Sequence, residues 1–351
     1  RGGQRRHLLW FCFFLPALGL VLIFAPNSLM APGLRWTLLS LGMLVFFIGY
    51  TFYAIPYWSL IDDYSGDDES RKRHLSNLLG AGILLATAIG FVLTPIAIDR
   101  LGFFKAAIVF ALPALVLMIL PYFAAPIDVK PTTSRPDTAV DFWTGFVASF
   151  KHRRFIALVI IFAGSQMSFA VLSSATPFIA SGLLGGTDAD VGRLMTPFIG
   201  TALPSFIIIP WLSRRFGWKP LIVWSTLLLA GSYSLMTALG ADLIGSPMTT
   251  AAILFGFVGP LAAILVALEG EAILACAREK EGHVTSVYFG VHNFIIKAAN
   301  GLAVYLTGHL GELATHSEHG EKAIRAMPGL AGACLAVGLV LYFLIRPKEE
   351  K

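Results

Sequence analysis

Charge is scarce in this sequence. Asp, Glu, Lys and Arg make up 13% of its 351 residues, against about 25% in soluble domains. That deficit excludes an ordinary soluble fold. Cysteine is scarce too: Cys12 and Cys334 lie inside apolar runs and Cys276 near the end of one, a pattern that gives neither a disulfide framework nor metal-ligand spacing. No phosphate loop, nucleotide fingerprint or Ser/Cys nucleophile motif occurs. ATP-driven transport within this chain is therefore excluded, and no catalytic residue, metal site or cofactor is expected. Short alternating strands are missing as well, which excludes a membrane barrel.

What the sequence has in abundance is apolar side chains, at 56%, in runs that approach the roughly 20 residues needed to cross a bilayer. Helices are then required, because only they satisfy the backbone internally in lipid. The runs predict ten spans, at 7–25, 34–58, 76–98, 103–124, 154–180, 189–211, 220–240, 248–270, 285–308 and 326–345. The fold class expected is an all-α polytopic membrane protein. Breakers or charge separate the spans: Pro26-Asn27, Asp62 to His74, Asp99-Arg100 and Ser213 to Lys219. With the first residue placed in the cytoplasm, 19 of the 26 Lys and Arg fall on the inner side and six on the outer side. Such a bias orients membrane proteins and puts both chain ends inside, with the plasma (inner) membrane as location. Arg1, Arg5 and Arg6 before an apolar run resemble a signal peptide, but further spans follow directly and no cleavage site is apparent.

Three prolines, Pro126, Pro131 and Pro136, mark a linker over 125–153. It separates a partial N-terminal bundle, 1–124, from a six-helix C-terminal bundle, 154–351. An internal repeat explains the four-plus-six arrangement. RGGQRRHLLW at 1–10 and SRRFGWKPLIVW at 213–224 are both short Gly-containing basic turns that open a span. DDYSGDDESRKRH at 62–74 and EGEAILACAREKEGH at 269–283 both close one, acidic residues first. The halves align with an offset of two spans, as if ten of twelve helices were present. Together with a first residue other than Met, this predicts an N-terminally truncated six-plus-six protein. Repeated bundles of this kind hold substrate near the bilayer midplane in secondary transporters.

Several segments resemble the glycoside–pentoside–hexuronide:cation symporter branch of the major facilitator superfamily. They are YTFYAIPYWSL at 50–60, TSVYFGVHNFIIKAANG at 285–301 and SRRFGWKPL at 213–221. The resemblance implies a two-bundle major-facilitator fold. It places Lys297 on the family's helix-eleven lysine, and Asn293, Tyr50 and Trp58 on sugar-facing positions. Two positions depart from the family: Ala54 stands where an acidic residue is expected, and Leu79 where a basic one is. The family's cation-binding acids lie on its first two helices, so a coupling cation, H+ or Na+, would bind outside the ten spans.

Read from the residues themselves, Lys297 is the strongest candidate. A charge at mid-span costs roughly 2.5–3.5 kcal/mol. Asn293, Lys297 and Asn300 share one helix face, with His292 slightly offset. They form either a polar stripe along a solute path or, for the lysine, a structural ion pair. His292 is a proton relay or a packing residue. Tyr50, Tyr53 and Trp58 offer rings to a sugar face, although Trp58 also suits an interfacial aromatic belt. Pro56 is expected to bend or end its helix. Gln166, between Ser165 and Ser168, lines a cavity or joins helices. Glu269 and Glu271 pair with the basic loop residues Arg71, Arg73, Arg214 and Arg215 as a gate, or sit at a solvated helix end. The His309 to Glu321 segment is rich in His and Glu but reads as a polar loop.

The leading function is secondary active transport, a cation-coupled symport of a sugar or glycoside by alternating access. The alternatives are transport of a lipid-like amphiphile, a non-transporting sensor and an inactive remnant. Partners are a small-molecule solute and membrane lipid, with no nucleic acid and with the chain acting as a monomer.

Overall fold

The computed structural model describes residues 2–26, 29–65, 68–124, 142–186, 188–240, 246–279, 285–316 and 320–347. Among these residues the chain is helical, with no strand. The helices are α1 (Gly2–Cys12), α2 (Leu15–Phe24), α3 (Pro32–Ser65), α4 (Glu69–Ala124), α5 (Phe142–Lys151), α6 (Arg153–Phe178), α7 (Asp188–Phe216), α8 (Trp218–Met236), α9 (Pro247–Arg278), α10 (Thr285–His316) and α11 (Gly320–Ile345). Seven segments combine the length and hydropathy of a membrane crossing: His7–Phe24, Pro32–Trp58, Arg100–Phe123, Arg153–Leu183, Asp190–Phe216, Pro247–Ala277 and Gly320–Ile345. Of the other three expected spans, 76–98 and 285–308 are helical within α4 and α10, and 220–240 is helical within α8 as far as Met236, with a turn over 237–240.

Several boundaries differ from the sequence expectation, each for a local reason. The first span is two helices, α1 and α2, separated at Phe13-Phe14. Pro16 has no N–H to bond the carbonyl of Cys12, so the ladder is interrupted there. Asp99-Arg100 is not a loop. The helix runs on, and the direction changes at Gly102, with φ 75° and ψ 166°, a conformation open essentially to glycine alone. Pro56 does not end its helix, since α3 continues to Ser65. After Pro177, α6 runs into one π-helical turn at Ile179–Leu183, a local adjustment of the kind that re-satisfies backbone groups freed by proline in membrane helices. The His- and Glu-rich outer segment is helical as far as His316, with 317–319 outside the described residues. Among the described residues no group of metal-ligating side chains forms.

Residues 125–141 of the expected linker also lie outside the described residues. The rest of that segment contains α5, whose Phe142, Phe146 and Phe150 recur every four residues.

The chain forms two compact units. One comprises Arg1–Asp68 and Val92–Thr138, the other Glu69–Phe91 and Ala139–Lys351. In the first, Leu9, Cys12 and Tyr53 make a core packed by Phe13, Leu15, Tyr57, Leu60 and Met118. Helices α2 and α3 approach so closely that a Cβ at Gly19 would lie 2.5 Å from the backbone nitrogen of Phe46. Small residues allow this in membranes, where packing rather than water exclusion drives association. In the second unit, α6 meets α11, α7 meets α9, and the first turns of α4 lie along α9 and α7. Ser76 Oγ donates to the Ala267 carbonyl at 3.3 Å, and the Asn77 amide to the Phe206 carbonyl at 2.9 Å.

Candidate functional site

Polar side chains inside apolar helices are costly unless they meet one another. In the second unit three helices bring theirs together. Glu269 on α9 lies 3.0 Å from Nε2 of His292 on α10, and its other carboxylate oxygen accepts from the Gln166 amide on α6, also at 3.0 Å. Glu269 is 5% exposed and His292 1%. The His292 contact is close but is not a directed hydrogen bond, since neither ring nitrogen is aligned with a partner among the described residues. The edge of Phe162 closes the ring off on one side, with centroids 6.3 Å apart.

Lys297 lies one helical turn and a residue beyond His292 on α10. It is half-buried, and the Glu269 carboxylate is the acid whose charge acts on it. Asn293, also half-buried, shares its helix face. One turn on, Asn300 buries an amide oxygen with no hydrogen-bond partner among the described residues. Of the sequence candidates, the structure thus groups Gln166, Glu269 and His292, with Lys297 under the field of the same acid.

Glu269 and Glu271 do not occupy a solvated helix end, which corrects one of the two sequence readings. Helix α9 continues two turns past them to Arg278, and both are 5% exposed. Glu271 is held by Arg73 of α4. The Arg73 Nε donates to both carboxylate oxygens at 3.1 and 3.3 Å, and a terminal guanidinium nitrogen lies 3.0 Å from Oε1. Planar fork geometry of this kind makes the strongest protein ion pairs. Arg214 donates to the Ser70 hydroxyl at 3.3 Å, whereas Arg215 lies over the rings of Trp211 and Phe216. Arg71 is exposed.

Tyr50, Tyr53 and Trp58 belong to the first unit. Tyr50 is half-buried and stacks on Phe46, and Trp58 is half-buried as well. Tyr53 is buried, stacks on Tyr57 and donates its hydroxyl to the Met118 carbonyl at 2.7 Å. Its one donor is therefore committed to packing. Sequence reading missed two groups: Ser76 and Asn77, polar side chains inside an apolar run, and the cluster of cations near Arg154, Lys219 and Arg346. The signal for the first was their polarity at the start of a span.

The sequence pattern of the MFS/sugar transport protein family matches residues 1–345. The chain belongs to that family. This makes it a multi-pass membrane transporter, not an enzyme. Its fold is similar to that of the fucose:proton symporter of Escherichia coli, at TM-score 0.62 and 12% identity, covering 98% of this chain and 84% of that one. It is also similar to a bacterial homologue of the iron transporter ferroportin, at TM-score 0.64 and 17% identity, covering 98% and 83%. A shorter likeness joins it to the multidrug transporter protein MdtP of Bacillus subtilis. There 34% of 95 residues are identical, covering 26% of this chain and 17% of that protein.

Proposed function

We propose that the protein is a proton-coupled symporter of a sugar or glycoside, working by alternating access. The observation that carries this reading is the buried Glu269–His292 pair, joined to Gln166 and under the same field as Lys297. Gain or loss of one proton there changes the net charge of a low-dielectric site by one unit. Such a change outweighs most other local terms and biases a conformational equilibrium by its differential stability in the two states. The proton site then sits on α9 and α10 within this chain. In the second unit Lys297, Asn293, Asn300 and Gln166 face the solute; Tyr50 and Trp58 of the first unit carry rings of the kind that stack on a sugar's C–H face. Arg73–Glu271 acts as a latch between α4 and α9, with Arg214 in support.

The orientation that fits the distribution of Lys and Arg puts both chain ends on the cytoplasmic side of the plasma (inner) membrane. The protein acts as a monomer. The likeness to a multidrug transporter favours an amphiphilic solute as the second reading.

Reconstituted vesicles with an internal pH-sensitive dye test both readings. A panel of monosaccharides, glycosides and one amphiphilic dye is added outside. Sugar-dependent acidification of the lumen, abolished by a protonophore, is expected. Sugar uptake with no proton movement would remove the coupling. Movement of the amphiphile alone would select the second reading.

A further inference from the structure

At one end of the second unit, the starts of α6 and α8, the end of α9 and the end of α11 surround a cleft of about 1220 Å³. Its polar wall is one-sided in charge. Lys151, Arg153, Arg154, Lys219 and Arg346 line it, and among the described lining residues Glu279 is the only acidic side chain. Glu279 pairs with Arg154 and lies 3.2 Å from His152, so one carboxylate faces five permanent cations. These cations converge on one concave surface instead of spreading along loops.

Aromatic rings support several of these cations. Arg154 lies 5.5 Å and Lys219 6.0 Å from the ring centre of Trp218. Arg346 lies 4.5 Å over Phe343 and 5.8 Å from Tyr342. A cation over a ring face is held there by the ring's quadrupole. The other wall is apolar and open: Trp224 is 60% exposed and Phe343 44%. Leu344, the residue after Phe343 on α11, is exposed as well. In a membrane protein such side chains face hydrocarbon. The cleft therefore has a basic end and a lipid-facing apolar end, both at the basic side of the membrane.

We infer that this cleft binds an anionic glycerophospholipid, its phosphate among Arg153, Arg154, Lys219 and Arg346 and its acyl chains along Trp224, Phe343 and Leu344. A phosphate group is the chemistry the cations select, and both a lipid and free phosphate carry one. The exposed apolar wall favours the lipid, since a free anion leaves Trp224 and Phe343 unused. Basic pockets between transmembrane helices on the cytoplasmic side take anionic head groups in just this way. The site is separate from Glu269 and His292 and does not depend on which solute is carried.

The test is native mass spectrometry of the full chain in detergent, titrated with dioleoyl phosphatidylglycerol, with dioleoyl phosphatidylcholine, and with phosphatidylglycerol in competition with inorganic phosphate. Phosphatidylglycerol should bind about tenfold tighter than phosphatidylcholine, as several cations near an anionic surface imply, and inorganic phosphate should not displace it. The double variant Lys219→Gln, Arg346→Gln should lose that preference, while Lys105→Gln, an exposed basic residue in the other unit, should keep it. Equal binding of the two lipids by the unaltered protein overturns the proposal, as does an unchanged preference in the double variant. Displacement of the lipid by inorganic phosphate overturns it too, and makes the cleft a free-anion site. Should the double variant fail to fold, Arg346→Gln alone, at the very end of α11, gives the same readout.

Discussion

Glu269 and His292 face each other at 3.0 Å from neighbouring helices, in a place where neither reaches water. A polar pair so deeply buried is costly unless its members meet one another or further polar partners. Gln166 fixes one carboxylate oxygen through its amide N–H and leaves the other to the ring.

Glu269→Gln keeps the size of the side chain and its acceptor for Gln166 but cannot titrate. Proton-driven solute uptake in reconstituted vesicles should fall by about ten- to a hundredfold, the equivalent of a lost charged contact of about 1.5–3 kcal/mol. Solute exchange without a pH gradient should persist. Full proton-driven uptake in this variant would take Glu269 out of the coupling.

The Arg73–Glu271 pair predicts an asymmetry between its two deletions. Arg73→Ala leaves a carboxylate buried at 5% exposure with its fork partner gone. Glu271→Ala leaves a guanidinium whose side chain is one-quarter exposed and can turn to water. Stranding a buried charge costs about 3–5 kcal/mol, and an exposed one far less. Thermal unfolding in detergent should show the Arg73 variant several degrees below the Glu271 variant, with the double variant close to the latter. Equal losses would mean that Glu271 finds another partner.

The membrane fold was largely legible in the sequence, because each span is a run of apolar residues bounded by charge or glycine. The ion pairs were not. Arg73 and Glu271 are 198 residues apart, and Gln166 and Glu269 are 103 apart, so no local pattern ties them. Two acids interrupting an apolar run at Glu269 and Glu271 are compatible in sequence with either a gate or a solvated helix end. The Ala-rich residues after them, 272–278, favour helix, and they carry α9 two turns further and the acids into the interior. The break at Phe13-Phe14 and the one at Gly102 were both written in the sequence as Pro16 and Gly102, but their consequences depend on backbone angles that composition alone does not give. Lys297 was legible from its depth in the span, though the acid that acts on it was not.

Two glycines of α4 separate backbone conformation from space. Neither Gly90 nor Gly102 has a heavy atom within 4 Å of where a Cβ would stand. Gly90 is helical, and Gly102 has φ 75°. Gly90→Ala should therefore be neutral or stabilising by about 0.5–1 kcal/mol. Gly102→Ala should destabilise by about 1–3 kcal/mol. Matched thermal melts decide it, and an unchanged melting temperature for Gly102→Ala would mean that the junction relaxes freely.

Tyr53→Phe asks whether that ring packs or binds solute. The hydroxyl bonds the Met118 carbonyl, so its loss should cost stability of about 0.5–1.5 kcal/mol and leave the solute KM unchanged. A raised KM with an unaltered melting temperature would return Tyr53 to the solute-facing set.

Lys297→Ala should abolish uptake while the protein still inserts. Removing a mid-span ammonium lowers the cost of insertion by roughly 2.5–3.5 kcal/mol, so the variant should reach the membrane at least as well as the parent. A loss of uptake then reports function and not folding. Lys297→Arg keeps the charge but spreads it over a planar fork on a differently shaped stem, and should restore part of the rate. The paired readout is membrane-fraction abundance and solute uptake in the same vesicles. Normal uptake by the alanine variant would reduce Lys297 to a structural counter-charge for Glu269, and the solute would then have to be recognised by Asn293, Asn300 and Gln166 without it.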